Sequence, residues 1–299
     1  MIGRRAAGQR CTTDRVAATI VNCANPDEAD LVLIGARYDR TTSFGTGASR
    51  GPQAIRECLD HQVELYDRTS GTSPALERSI AWVDTGELNR FDPAEMVDHL
   101  TTEYRRHSGR PRILIGGEHS VSNAAFRVHA DRAANTTVLQ IDAHADLRED
   151  DSDYNDTPWG PYAHCSVMCR AHELGFHLVQ VGVRAYSAAE RERFDDPRIR
   201  VFEWGPAVPT IERILATIST HDVYVTLDVD GLDPGCMPAT GTPVPGGLSW
   251  FETLELLAGV ARAKRIVAAD VVEVSPRDGD RRTEYAAAQL VYTLAGLML

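Results

Sequence analysis

Cysteine is scarce and unpaired in this chain. Cys11, Cys23, Cys58, Cys165, Cys169 and Cys236 form no Cys-x-x-Cys pair, and six thiols in 299 residues do not make a disulfide framework. Reduced thiols are therefore expected, and with them a cytoplasmic protein. Long apolar runs are also missing. The longest, Ala286–Leu299, is too short to span a bilayer and suits a buried terminal helix, so no membrane partner is expected. No apolar segment follows the Arg-rich stretch Met1–Arg10, which argues against a secretory signal. Positive charge is in deficit: 31 Lys and Arg face 43 Asp and Glu, a net charge of −12. Such a field repels phosphate backbones and excludes nucleic acid as an expected partner, whereas it suits a small cation. Repeats and Pro/Gly/Ser-rich linkers are absent. At 43% apolar and 25% charged, the composition is that of a folded globular chain.

What is present is an alternation of short β-branched runs and helical stretches. Strands are expected at Leu31–Gly35, Ile80–Asp84, Arg112–Gly116, Thr137–Asp142, His177–Val183, Ile199–Phe202, Val223–Asp228 and Ile266–Val274. Their nearly continuous apolar character is that of a parallel sheet buried on both faces. Helices are expected at Pro52–Asp60, Pro93–Arg106, Ser120–Ala134, Ala188–Phe194, Ile211–Thr220, Trp250–Ala263 and Thr283–Gly296. The pattern implies one α/β domain over 1–299, a three-layer α/β/α sandwich around a mostly parallel eight-stranded sheet, with 1–29 as an N-terminal arm. Three long irregular stretches remain, Arg37–Gly51, Leu147–Ser166 and Gly231–Ser249, and loops of that length are usually functional.

Acidic residues and histidines collect where strands end, which is where ligands bind in open α/β sheets. Gly116-Gly117-Glu118-His119-Ser120 follows the third strand. Asp142-Ala143-His144-Ala145-Asp146 follows the fourth; in an extended segment Asp142, His144 and Asp146 would share one face. Asp228-Val229-Asp230 ends the seventh, again with both carboxylates expected on one face. Taken alone, His119 reads as a structural histidine, and each acidic pair as a solvated turn. Together they supply two histidines and four aspartates, more than one open catalytic metal needs. An oxygen-rich set with imidazole and no thiolate suits a pair of Mn²⁺ or Mg²⁺ ions.

At these residues the chain resembles the ureohydrolase family of arginases, agmatinases and related guanidino hydrolases. The resemblance covers G-G-E-H-S at 116–120, D-A-H-A-D at 142–146, D-V-D-G-L-D-P at 228–234, P-A-T-G-T-P-V-P-G-G-L at 238–248 and D-V-V-E-V-S-P at 270–276, together with Ser43–Arg56. It implies two manganese ions per subunit, one held by His119, Asp142, Asp146 and Asp228 and the other by His144, Asp142, Asp228 and Asp230. It implies that Glu273, on the last strand, grips the substrate guanidinium and that His164 and Asp146 relay a proton. It further implies a homotrimer or homohexamer. Arginases hold the substrate's α-amino and α-carboxylate groups through an Asn/Thr-rich loop between the D-A-H-x-D motif and an S-G-N-x-H-G motif, and the S-G-N-x-H-G pattern is absent here. The stretch instead carries Glu149, Asp150, Asp151, Asp153 and Asp156, a loop expected to attract a dication and repel a free carboxylate. The reading is an agmatinase that yields putrescine and urea. A guanidino-acid hydrolase of the guanidinobutyrase type, or an arginase, is the alternative, with Arg148 or Arg50 meeting a carboxylate. A non-catalytic metal-binding relative acting as a partner protein is the alternative of another class, which intact ligands disfavour. A one-zinc deacetylase would need a different ligand pattern. Gly45-Thr46-Gly47 lacks the G-x-G-x-x-G spacing of a nucleotide loop.

Overall fold

The computed structural model describes residues 19–299. Met1–Arg10, Cys11 and most of the expected 1–29 arm lie outside the described residues. The strands are β1 Leu31–Arg37, β2 Ile80–Glu87, β3 Arg112–Gly116, β4 Thr136–Ile141, β5 His177–Val183, β6 Ile199–Glu203, β7 Asp222–Asp228 and β8 Arg265–Val272. They form one sheet in the order β2-β1-β3-β8-β7-β4-β5-β6, and every pairing is parallel. The helices are α1 Gly51–His61, α2 Pro74–Glu77, α3 Pro93–Arg106, α4 Ser122–His129, α5 Val167–Glu173, α6 Ala188–Arg193, α7 Ile211–Leu215, α8 Trp250–Ala263 and α9 Arg282–Met298.

Strand side chains alternate between two apolar layers. Leu33, Ile113, Ile115, Leu139, Val225 and Leu227 pack with α1, α7, α8 and α9. Val32, Ile34, Leu114, Val138 and Tyr224 pack with α3, α4 and α5. Helix starts are encoded locally. Asp92 with Glu95, Ser187 with Glu190 and Ser249 with Glu252 are reciprocal capping boxes for α3, α6 and α8. The apolar C-terminus is buried in α9, and among the described residues no helix is long and apolar enough to cross a membrane.

Some elements depart from the sequence pattern. The stretch 120–134 divides into a 3₁₀ turn at His119–Val121, α4, and a second 3₁₀ segment at Ala130–Asn135. The helix starting at Ile211 stops at Leu215. Helix α5 was hidden because its buried Val167, Met168, Cys169 and Ala171 fit into two turns, too few for a period to show. Strand β8 ends at Val272, so Glu273 lies just beyond it rather than on it.

The four central strands bring their carboxyl ends to one rim, and two glycines let the backbone close there. Gly117 N donates to Ala36 O at 2.9 Å and Glu118 N to Tyr38 O at 2.8 Å, so a Cβ at Gly117 would overlap the Tyr38 carbonyl. At Gly231 a Cβ would come within 2.6 Å of Asp142 N. Gly117→Ala is therefore expected to destabilise the protein by at least about 1–3 kcal/mol through overpacking against backbone that cannot yield. Urea denaturation checks this; an unchanged midpoint would mean that the strands do not meet as described.

Candidate metal centre

The three acidic motifs and Glu273 follow β3, β8, β7 and β4, which are consecutive in the sheet. The backbone there is not extended as the sequence suggested. Strand β4 stops at Ile141, His144 bridges to Ala185, and Asp146 turns to φ 50°. Asp228 closes β7, but Val229–Gly231 is a 3₁₀ turn. The side chains still converge, through turns that their own carboxylates hold. Asp142 Oδ1 accepts from His144 N at 2.6 Å, Asp230 Oδ1 from Ala143 N at 3.0 Å, and Asp228 Oδ1 from Asp230 N at 2.9 Å. Among the described residues, Asp146 and Glu273 (φ 66°) are the only non-glycine residues with positive φ, and both belong to the predicted site.

Two clusters result, and Asp142 belongs to both. His119 Nδ1 lies 3.0 Å from Asp146 Oδ2, 3.2 Å from Asp142 Oδ2 and 3.5 Å from Asp228 Oδ2. His144 Nδ1 lies 3.0 Å from Asp230 Oδ2 and 3.6 Å from Asp142 Oδ1. Candidate ligand atoms of His119, Asp142 and Asp146, and likewise of Asp142, His144 and Asp230, all fall within 4.8 Å of one another. Glu273 Oε1 accepts from His119 N at 2.7 Å, and Oε2 carries no hydrogen bond to the described residues.

Crowding buried carboxylates is costly unless a cation joins them. Burial, then the charges of Asp230, Asp142 and Glu273, push Asp228 well above the usual carboxylate range. Burial and Glu118 do the same to Glu273. Burial and Asp142 raise Asp146 to about 7. Burial opposes a charge on His119, but Asp142 and Asp146 outweigh it and hold the ring protonated well above its ordinary range. His144 follows the same logic through Asp230 and Asp142. Burial would raise Asp142 too, yet His119 and His144 hold it low. His119 Nδ1 is buried with no hydrogen-bond partner. Oxygens and imidazole nitrogens around an orphaned ring nitrogen, with no thiol in either cluster, fit hard divalent cations.

Above the clusters lies a cavity of about 310 Å³ lined by His119, His144, Asp146, His164, Asp228, Asp230 and Glu273 from the predicted set. His164 sits in a 3₁₀ turn whose backbone N donates to Thr41 Oγ1 at 2.9 Å. Burial holds its imidazole down to about 4. Thr41 in turn donates to Glu118 Oε1 at 2.6 Å, and Glu118, fully buried, is pushed up to about 7 by that burial. The expected role of the 149–156 carboxylates is corrected: none of the five lines the cavity. Asp151 is buried and organises its own loop, accepting from Asn155 Nδ2, Trp159 N and Gly160 N. Glu149 pairs with Arg193, Asp150 caps Ser152, Asp153 pairs with Arg148, and Asp156 is exposed. Short-range loop folding, not a ligand, occupies most of these acids. Arg148 does line the cavity; Arg50 lies in a neighbouring one and donates to Pro276 O. Cys165 and Cys169 are buried, and Cys165 Sγ accepts from Tyr154 Oη at 3.2 Å.

Several contributors escaped the sequence reading. Thr41 could have been sought in the long 37–51 loop. Glu190, which lines the cavity and also caps α6, carried only a helix-start signal. Arg184 left no signal at all. It donates to the carbonyls of Asp230 and Val244 at 2.7 and 2.9 Å and so fastens the 231–249 loop to the rim.

The fold and this cluster together define a metal-dependent hydrolase. The family model for the arginase family matches residues 29–296. The chain is 33% identical to the N(1)-aminopropylagmatine ureohydrolase of Synechocystis sp., over 90% of this chain and 89% of that protein. It is 30% identical to the agmatinase of Halalkalibacterium halodurans, over 91% and 93%. The crystal structure of agmatine ureohydrolase of Thermoplasma volcanium superposes with a TM-score of 0.78 at 25% identity, covering 96% of this chain and 95% of that one. The chain belongs to the arginase family, on the agmatinase-like branch of the ureohydrolases, hydrolases that act on guanidino C–N bonds.

The titrations give a sign to metal removal. In the metal-free chain Asp146, Asp228, Glu273, Glu118, His119 and His144 hold protons that the unfolded chain releases, the carboxyls from about pH 4 and the imidazoles from about 6.5. Their stabilisation is full below those values and is lost as pH rises through the raised folded ones. His164 and His129, lowered to about 4 chiefly by burial, slope the other way below pH 6.5 but are fewer. Asp142 is ionised in both states and adds no slope above about pH 4. The melting temperature of chelator-treated protein should therefore fall from pH 5 to pH 8, and saturating Mn²⁺ should abolish the fall, since cations replace those protons. A metal-free melting temperature that rises over that range would contradict the electrostatics.

Proposed function

We propose that the protein is a manganese-dependent agmatinase-type ureohydrolase that cleaves agmatine, or an amine-extended form of it, to urea and the corresponding amine, putrescine in the case of agmatine. One observation carries this reading. Among the described residues the cavity lining holds five carboxylates, Asp146, Glu190, Asp228, Asp230 and Glu273, against one guanidinium, Arg148. That guanidinium is already engaged by Asp153 and lies 3.6 Å from Glu190. A substrate carboxylate would therefore meet no free guanidinium in the lining, which favours a substrate that has no carboxylate. The names of the Synechocystis and Halalkalibacterium relatives support the same class.

In this reading His119, Asp142, Asp146 and Asp228 hold one Mn²⁺, and His144, Asp142, Asp228 and Asp230 hold the other. When bound, such a pair acidifies water and stabilises developing negative charge. Glu273 Oε2 takes the guanidinium, and Oε1, tied to His119 N, fixes the angle of approach. His164, neutral at working pH, accepts and returns a proton, with Asp146 as its relay partner for the departing amine. The proposal extends to a cytoplasmic homotrimer or homohexamer. The free thiols of the described cysteines support the compartment. A monomer by light scattering would remove the assembly from the proposal.

A second reading rests on Arg148, which could exchange Asp153 for a substrate carboxylate; it makes the protein a guanidino-acid hydrolase. Urea release by Mn²⁺-loaded protein, with agmatine, N1-aminopropylagmatine, 4-guanidinobutyrate and arginine compared, separates the two. An unpartnered polar group costs about 1–3 kcal/mol, which predicts at least about tenfold lower kcat/KM for arginine than for agmatine. Equal or better turnover of arginine would refute the proposal. Preference for 4-guanidinobutyrate, lost in Arg148→Ala, would establish the second reading in its place.

A further inference from the structure

Beneath the candidate metal centre lies a carboxylate that the chemistry above leaves unused. Asp270 is fully buried on β8, in the layer between the sheet and α4. It stands in register with Thr226 on the adjacent β7. In parallel strands such partners point to the same face. Thr226 Oγ1 donates to Asp270 Oδ1 at 2.6 Å, and Tyr224 Oη donates to Oδ2 at 2.8 Å. Thr226 Oγ1 also lies 2.8 Å from His119 Nε2. On the far side of that ring, Nδ1 is the orphaned buried nitrogen among Asp142, Asp146 and Asp228.

A hydroxyl has one hydrogen to give, and an ionised carboxylate can only accept. With its hydrogen committed to Asp270, Thr226 can only accept from His119, so Nε2 keeps its proton and Nδ1 is the nitrogen that gives up its proton to a cation. We infer that Asp270 is a positioning residue that, through the Thr226 hydroxyl, fixes His119 in the tautomer whose Nδ1 is free to bind a cation. The inference rests on the metal-centre reading and adds to it the group that orients one ligand from outside the site. It also accounts for a fully buried carboxylate, since a side chain with only a packing role would be apolar.

Calorimetric titration of chelator-stripped protein with Mn²⁺ tests it. The wild type should bind two ions. Asp270→Asn replaces one of the two acceptor oxygens by an N–H donor; when that donor faces Thr226, it turns the hydroxyl hydrogen towards His119 Nε2 and leaves the ring proton on Nδ1. Affinity at one of the two sites should fall by about 10–100-fold while the other site keeps its own. Thr226→Val, which keeps the shape and removes the hydroxyl, should show the same one-site loss. Thr226→Ser, which keeps the hydroxyl and removes the methyl group, should bind like the wild type. A packing role for Thr226 predicts the reverse order, with Ser worse than Val, and would overturn the inference. So would wild-type affinity at both sites in Asp270→Asn and Thr226→Val. If Asp270→Asn does not fold, the Thr226 pair decides alone. A wild-type protein that binds no Mn²⁺ overturns the metal-centre reading and this inference with it; two ions in the wild type with unchanged variants overturns the inference only.

Discussion

Mutual repulsion among carboxylates buried at the tips of three adjacent strands is the constraint on which the rest of this structure depends. Asp142, Asp146, Asp228, Asp230 and Glu273 are at most 8% exposed, and among the described residues the imidazoles of His119 and His144 stand between them. In water such a group would disperse. Here it is held together by backbone that the sheet supplies, and without metal it is relieved only by taking up protons. Two of its members, Asp146 and Glu273, occupy backbone conformations that cost of order 1–3 kcal/mol each. A fold tolerates that cost when a bound cation returns more, so the strain and the raised titrations have one cause.

The scaffold around the cluster is arranged to keep those tips from relaxing. Gly117 and Gly231 let chain segments approach closer than any Cβ would permit. Gln140 Nε2 donates to Asp142 Oδ2 at 2.6 Å, and Gln180 hydrogen-bonds both Gln140 and the Ala145 carbonyl. Arg184 fastens the 231–249 loop by its carbonyls, and Thr41 ties His164 to Glu118. Deep to all of these, Asp270 and Thr226 orient His119 from inside the core. The site is thus supported from several independent elements, which suits a reaction that depends on fixed positions rather than on movement.

Much of this was readable from the chain. The parallel sheet announced itself through apolar runs buried on both faces, and the metal-ligand candidates through the density of Asp and His at strand ends. Local geometry was harder. Asp142, His144 and Asp146 were expected on one face of an extended segment, and they converge instead through a turn that depends on a positive φ at Asp146. Nothing in a single sequence signals that. The acids at 149–156 illustrate the opposite difficulty. Their charge was visible, but whether each faced a ligand or its own loop depended on partners such as Trp159 N and Arg193, set by tertiary folding. Asp270 stood within the D-V-V-E-V-S-P stretch but carried no role of its own there, because its significance is a register with Thr226 on a strand far away in sequence; Arg184 acts on carbonyls that only the folded 231–249 loop brings to it.

The central claim is that the buried acids at the strand tips are a cradle for two divalent cations. Anomalous diffraction at the manganese edge, from crystals grown with Mn²⁺, tests it most directly. Two peaks about 3.5–4 Å apart, one within bonding reach of His119 Nδ1 and the other of His144 Nδ1, with Asp142 between them, are the predicted result. A single peak with tetrahedral ligands, or none at these side chains, would contradict the account.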